Sequence, residues 1–181
     1  MKVLEVIKTG SKLLKEKNIS SHVLDTELLL SKSLNKSREE LLTNLHQKIN
    51  KRDLTNFNKY LIRRSNKEPI AYLLGEKEFW SKKFFVNKDT LIPRPETELL
   101  VEKLVTIYKE KKITILDIGT GTGCIIASLL SELKNSSGTA VDISRERQFL
   151  LQRKMLLNLN FLIELSFYIN PLKIFTEKNL I

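Results

Sequence analysis

The sequence predicts a multi-domain α + α/β protein: a small helical bundle, a β-hairpin linker, then the opening of a parallel α/β domain. Three observations carry that reading. Residues 1 to about 66 place apolar side chains at helical spacing over several short segments. Phe79-Trp80 and Phe84-Phe85-Val86 flank a short polar turn. Ile113-Thr114-Ile115-Leu116 is an apolar run, followed by three alternate glycines and a second apolar run from Cys124 to Leu133. That last order is strand, tight turn, helix, the unit from which parallel sheets are built.

Taken along the chain, Val3, Leu4, Ile7, Leu13 and Leu14 mark a first amphipathic helix. Gly10 interrupts it at a cost of about 1 kcal/mol relative to Ala. Ser20 or Ser21 is placed to cap a second helix with Val23, Leu24, Leu28 and Leu30 inward, and Glu27 near its start. Ser37-Arg38-Glu39-Glu40 fits a capping box opening a third helix through Leu41, Leu42 and Leu45. Asp53 to Arg64 reads as a fourth, with Leu54, Phe57, Leu61 and Ile62 inward. His22 and His46 fall among these helices and are read as surface or satisfied side chains. Pro69 breaks the pattern. Beyond the hairpin, Pro95 and Glu96 open a helix through Leu99, Leu100, Leu104 and Tyr108. After the strand, turn and helix, Ala140-Val141 ends a second strand at Asp142. The expected boundaries are a helical domain over 1–75, a hairpin linker over 76–94, a partial α/β domain over 95–144 and a separate tail over 145–181.

Composition narrows the function. With 41% hydrophobic and 29% charged residues the chain is neither disordered nor membranous, and no apolar run reaches spanning length. Lys2, Glu5 and Lys8 break any signal-peptide core, so a cytoplasmic location is expected. One cysteine and two histidines exclude a disulfide framework and argue against a metal site. Cys124 is read as packing. The net charge of +10 raises the question of nucleic acid, but lysines are spread along the chain among Asp and Glu, with no basic-aromatic cluster. A generally basic surface is the better reading, and direct nucleic-acid binding is not expected.

The glycine turn holds the chemistry. Gly119, Gly121 and Gly123 follow Asp117, and the residue where a dinucleotide fingerprint needs its last glycine is Cys124. A P-loop lysine is absent too. An acid before the turn and another, Asp142, ending the next strand make a different arrangement. Asp142 can take both ribose hydroxyls of an adenosine through paired hydrogen bonds, and the glycines let a methionine moiety lie against backbone. The group that fits is S-adenosylmethionine. Asp117, Gly119, Thr120, Gly121, Thr122, Gly123 and Asp142 are the candidate cofactor residues.

The surrounding residues extend this. Glu68-Pro69-Ile70-Ala71-Tyr72-Leu73-Leu74-Gly75, Phe79, Phe85-Val86 and Leu91-Ile92-Pro93-Arg94-Pro95-Glu96-Thr97-Glu98 closely resemble the bacterial peptide chain release factor glutamine N5-methyltransferases, the HemK/PrmC family. Asp25-Thr26-Glu27-Leu28-Leu29-Leu30 resembles that family's N-terminal helical domain. The resemblance covers residues 1 to about 144, with Ser81 standing where the hairpin usually has glycine. It implies a Rossmann-like class I methyltransferase domain, S-adenosylmethionine as cofactor, and release factors as partners. The implied reaction is methylation of the side-chain amide of the Gly-Gly-Gln glutamine. Arg94, Glu96 and Thr97 are then expected to order the junction beside the cofactor and substrate. The family's amide-holding Asn-Pro-Pro-Tyr turn does not occur among these residues; Asn170-Pro171 is followed by Leu172 and Lys173. No catalytic residue is therefore assigned.

After Ser144 the resemblance stops. Reading the third base of each codon with the first two of the next permits A-I-x-V-A-K-K-N-A-I-K across Arg147 to Asn158, and S-D-R-I-E-L across Phe161 to Phe167. Both segments suit the family's continuation, so the tail is expected to be out of frame from near codon 145. The methyltransferase half is then truncated, two parallel strands share an open edge, and cofactor binding is weak. A separately encoded C-terminal half is one way to complete it. A non-enzymatic release-factor-binding fragment and a nucleic-acid amino-methyltransferase are the rival readings; the Pro-Arg-Pro-Glu-Thr-Glu run disfavours the latter.

Overall fold

The computed structural model describes residues 1–142 together with the backbone of Ile163–Glu164. The chain divides into two compact units, Met1–Gly75 and Glu76–Ile181. The tail assigned to 145–181, apart from Ile163–Glu164, lies outside the described residues, as does Asn170-Pro171.

The first unit is all helical: α1 (Val3–Glu16), α2 (His22–Leu34), α3 (Arg38–Thr43), α4 (Lys51–Ser65) and α5 (Ile70–Leu74). Val3, Val6, Ile7, Gly10 and Leu14 form the buried stripe of α1, a 3-4 spacing that puts them on one face. Two of the N–H groups that a helix start leaves unpaired are satisfied by the loop after α3: Val3 N donates to Gln47 O and Leu4 N to Leu45 O, both at 3.0 Å. The capping box at Ser37 is present, with Glu40 N donating to Ser37 Oγ at 3.1 Å and Ser37 N to Glu40 Oε2 at 2.8 Å. Leu14, Leu29, Leu30, Leu41, Phe57 and Leu73 anchor one core.

Gly10 does more than weaken its helix. A Cβ there would lie 2.8 Å from Thr26 Cγ2 and 3.0 Å from Phe57 Cζ, so α1 meets α2 and α4 at a distance only glycine allows.

The expected face of α2 is corrected. Val23 and Leu24 are exposed, whereas Asp25, Thr26, Glu27, Leu29, Leu30 and Ser31 are buried. The rotation follows from polar partners. Asp25 Oδ2 accepts from Arg64 Nε at 2.7 Å and from Ser21 Oγ at 2.8 Å, Thr26 donates to His22 O, and Glu27 pairs with Arg38 at 2.7 Å. A buried carboxylate is tolerable only when its charge and lone pairs are met, and removing Arg64 alone would cost roughly 3–5 kcal/mol. Leu42 and Ile62 likewise face outward, leaving Leu41, Phe57 and Leu61 to the core.

The second unit opens with the antiparallel hairpin β1 (Glu76–Phe79) and β2 (Lys82–Phe85). Trp80 and Ser81 both have positive φ, at 50° and 55°, the conformation of a two-residue turn whose twist matches its strands. Phe79 and Phe84 meet edge to face at 6.2 Å between centroids and join Val101, Cys124, Ala127 and Leu129 in a second core. A 3-10 turn over Pro95–Thr97 leads into α6 (Glu98–Tyr108). Here too the expected face is turned: Leu99 and Leu100 are exposed and Val101 is buried. Then come β3 (Thr114–Ile118), α7 (Cys124–Glu132), β4 (Ser137–Val141) and β5 (Ile163–Glu164). The sheet is parallel, in the order β3-β4-β5.

The described sheet has three strands where two were expected: β5 pairs with β4 at Gly138 and Thr139, and β3 keeps an edge with no strand beside it among the described residues. β4 can approach α7 closely because Gly138 has no side chain; a Cβ there would meet Ile126 Cδ1 at 2.8 Å.

Candidate functional site

Parallel strands deliver their carboxyl ends to one side, and the turns that follow them line a common crevice. β3 ends at Ile118 beside Val141, the last residue of β4, so Asp117, the glycine turn and Asp142 come together. Gly119, Gly121 and Gly123 have φ of 74°, 54° and 75°. Side chains rarely tolerate that region, which explains why all three are glycine. Val141 O accepts from Gly119 N at 2.7 Å and Thr120 N at 3.0 Å, and Gly123 N donates to Thr120 O at 2.8 Å. The turn is thus tied to the neighbouring strand before any ligand arrives.

The two acids have different jobs. Asp142 Oδ2 accepts from Gly121 N at 2.7 Å, so the candidate ribose acceptor also fixes the middle of the glycine turn. Asp117 Oδ2 accepts from Thr120 Oγ1 at 2.7 Å. Burial pushes the Asp117 carboxyl above the ordinary carboxylate range, and the nearby Asp142 charge adds to this. Hydrogen bonds from the Thr120 hydroxyl and the Ile126 backbone N–H pull the other way. Since Ile126 lies in the first turn of α7, Asp117 acts as a cap for that helix from the end of β3.

Thr122 is buried, and its side chain hydrogen-bonds the Cys124 thiol. Burial pushes that thiol up, which keeps it protonated and unreactive.

Arg94, Glu96 and Thr97 lie at the 3-10 turn. Arg94 and Glu96 are exposed, and Thr97 N donates to Arg94 O at 3.1 Å. None of the three is drawn into the hydrogen bonds that tie the glycine turn together.

The neighbour with a defined role is Glu98, to which the sequence reading gave none. Its Oε1 accepts from Trp80 N at 2.8 Å, while Glu132 Oε1 accepts from Trp80 Nε1 at 2.9 Å. Two carboxylates from α6 and α7 therefore clamp the hairpin tip. An acid near the start of one helix and another at the end of the next are the sequence signals, but only the fold shows that they share a tryptophan.

With this geometry in hand, relatives can be compared. Residues 5–75 match the family model described as the PrmC N-terminal domain. A release factor glutamine methyltransferase of Leptospira interrogans is 39% identical over 146 residues, covering 80% of this chain and 51% of the relative. One from Buchnera aphidicola is 43% identical over 147 residues, covering 81% and 53%. The chain is a relative of the release factor glutamine methyltransferases. The Shewanella oneidensis methyltransferase of the same description is 44% identical over 123 residues, 68% of this chain and 43% of its own length. The chain thus spans about half the length of the curated relatives it matches.

This relationship accounts for both units. The helical unit corresponds to the PrmC N-terminal domain, and β3, α7 and β4 are an incomplete Rossmann-like portion of a methyltransferase fold. Among the described residues, no helix is long and apolar enough to cross a membrane.

Proposed function

We propose that this chain carries the cofactor-binding part of a cytoplasmic methyltransferase acting on the Gly-Gly-Gln glutamine of peptide chain release factors. The observation that carries the reading is the glycine turn. Three positive-φ glycines stand between Asp117 and Asp142 at the carboxyl ends of two parallel strands. A bare backbone surface flanked by a strand-end carboxylate suits S-adenosylmethionine, which when bound supplies an electrophilic sulfonium methyl.

Asp142 would take the ribose hydroxyls while Gly121 N–H keeps its carboxylate oriented. Asp117 would hold α7 so that the helix N-terminus stays presented to the turn. Methyl transfer to an amide forms a carbon–nitrogen bond, breaks the carbon–sulfur bond and releases one amide proton. The amide is a weak nucleophile, so positioning must supply most of the acceleration. The described residues provide the cofactor side of that alignment and no Asn-Pro-Pro-Tyr turn to hold the amide. Weak cofactor binding and impaired transfer by this chain alone are expected.

Calorimetric titration of the full chain with S-adenosylmethionine tests the reading. Binding weaker than the order of 1 μM is expected, lowered at least about tenfold further by Gly121→Val, which forces a β-branched residue to positive φ. Equal binding by the two proteins, or none at millimolar ligand, would count against the site.

A second reading rests on the helical unit, which has a core of its own. It could dock a release factor without catalysis, and retention of release factor by residues 1–75 alone would favour it.

A further inference from the structure

The surplus of positive charge is unevenly divided along the chain. Residues 1–75 hold 15 of the 31 Lys and Arg but only 8 of the 21 Asp and Glu. In sequence these cations look dispersed, yet the helical unit gathers several of them at one end. There the starts of α1 and α4 are stitched side by side: Lys2 and Lys48 form an antiparallel bridge, and Ile49 N donates to Met1 O at 3.1 Å. Lys51 and Arg52 open α4 just beyond it. Lys36 reaches the same place, its Nζ donating to Gln47 Oε1 at 2.7 Å. Lys2, Lys48, Lys51 and Arg52 are all exposed.

Among the described residues none of these five cations is salt-bridged. The carboxylates on the same elements are engaged with backbone or amide groups instead. Glu5 Oε2 accepts from Lys2 N at 2.8 Å, Asp53 Oδ2 from Asn50 Nδ2 at 2.7 Å, and Glu40 Oε2 from Ser37 N at 2.8 Å. The backbone N–H groups of Val3, Leu4 and Asp53 are taken as well. An anion arriving at this end is therefore met by long, solvated side chains rather than by the helix starts.

We propose that this end of the helical unit docks the phosphate backbone of duplex RNA without reading its sequence. Cations spread over two helix starts and a bridge suit a row of phosphates, whereas a folded protein partner would want an apolar or aromatic centre. No Phe, Tyr or Trp occurs in 1–5 or 46–53, so the bases of a single strand have no such ring to stack on. The two helix starts are tied to each other, which leaves neither free to enter the major groove of B-DNA. The shallow minor groove of A-form RNA asks for no such insertion. Gln47 adds chemistry specific to RNA: with its Oε1 held by Lys36, its NH2 group is left to donate to a ribose 2′-hydroxyl. Docking of this kind needs no cofactor and stands apart from the methyltransferase reading. It was concealed in sequence because the five cations come from three separate stretches.

Fluorescence anisotropy of an end-labelled RNA duplex of about 16 base pairs, titrated with the full chain and no S-adenosylmethionine, tests this. Affinity should fall with salt at a log–log slope of about −3 to −4, the release of counterions from about four phosphates. Lys51→Glu with Arg52→Glu is expected to weaken binding at least about tenfold and to flatten that slope by about 2. Acids at those positions favour a helix start, so this variant keeps its fold. Lys109→Glu with Lys112→Glu, an equal charge change at exposed positions of the second unit, should shift affinity less than about twofold.

Gln47→Leu is expected to weaken RNA about fivefold, the worth of one hydrogen bond, and to leave a DNA duplex of the same sequence unchanged. A DNA duplex bound as tightly as RNA, or polyglutamate displacing RNA at equal charge, overturns the proposal by assigning the surface to DNA or to an acidic protein. Equal RNA affinity of wild type and either helical-unit variant overturns it too, as does no binding at about 100 μM protein in about 50 mM salt.

Discussion

Gly10 and Asp117 are both expensive by local rules and are retained for what lies next to them. In an isolated helix, Gly10→Ala would gain about 1 kcal/mol. In this bundle the new methyl would press on Thr26, held by its bond to His22 O, and on the buried Phe57 ring. Overpacking costs about 1–3 kcal/mol, so a net loss of up to about 2 kcal/mol is expected in urea denaturation followed by far-UV circular dichroism. A gain would mean that α1 and α2 can separate freely.

Asp117 gives a signed pH effect. Its carboxyl titrates higher in the folded protein than in the unfolded chain, chiefly through burial. The folded state therefore holds the proton more tightly. The stability this gives is present below the ordinary carboxylate range and is lost as pH rises through the raised folded value. Asp117→Asn removes that dependence. Its melting temperature relative to wild type should rise as pH climbs from the ordinary carboxylate range through the raised folded value, and then level off. A relative fall over the same window would show that the ionised carboxylate's bonds to Thr120 and Ile126 outweigh its burial.

The hairpin and the glycine turn show how far local pattern reaches. The alternation around Phe79 and Phe84 was legible because both aromatics point into one core. The turn type was not, since Trp80-Ser81 lacks the Asn-Gly signature of a turn with two positive-φ residues. The fold holds it through Glu98 and Glu132 instead. Ser81→Gly should relieve about 1 kcal/mol of left-handed strain, seen as a higher melting temperature of the tryptophan signal. No change would mean that the Glu98 clamp already absorbs the strain.

In the glycine turn, the spacing announced three unusual backbone conformations, and the structure has all three. The double duty of Asp142 was hidden, because a bond from Gly121 N depends on how β3 and β4 are registered. Helix faces were misread where buried polar residues took core positions. Asp25 and Glu27 look like surface residues until Arg64 and Arg38 arrive from elsewhere in the chain.

Taken whole, the α + α/β class was readable, since helical and strand periodicities occupy separate stretches of sequence. The third strand was not: a two-residue strand at Ile163–Glu164 carries too little pattern to announce itself, yet it pairs with β4 and leaves β3 as an edge strand with Leu116 and Ile118 exposed. A parallel sheet open at its most apolar strand is an aggregation hazard.

The hairpin clamp has one more consequence, for optical work on this molecule. Its single tryptophan is Trp80, and the indole N–H is held by a carboxylate of α7. Emission from that ring reports on the second unit, while among the described residues most of the α-helix, and so most of their ellipticity near 222 nm, lies in the first. Two spectrometers thus observe two halves of one chain without any label. Superimposed denaturation curves would describe a single cooperative transition, and separated ones two independent ones.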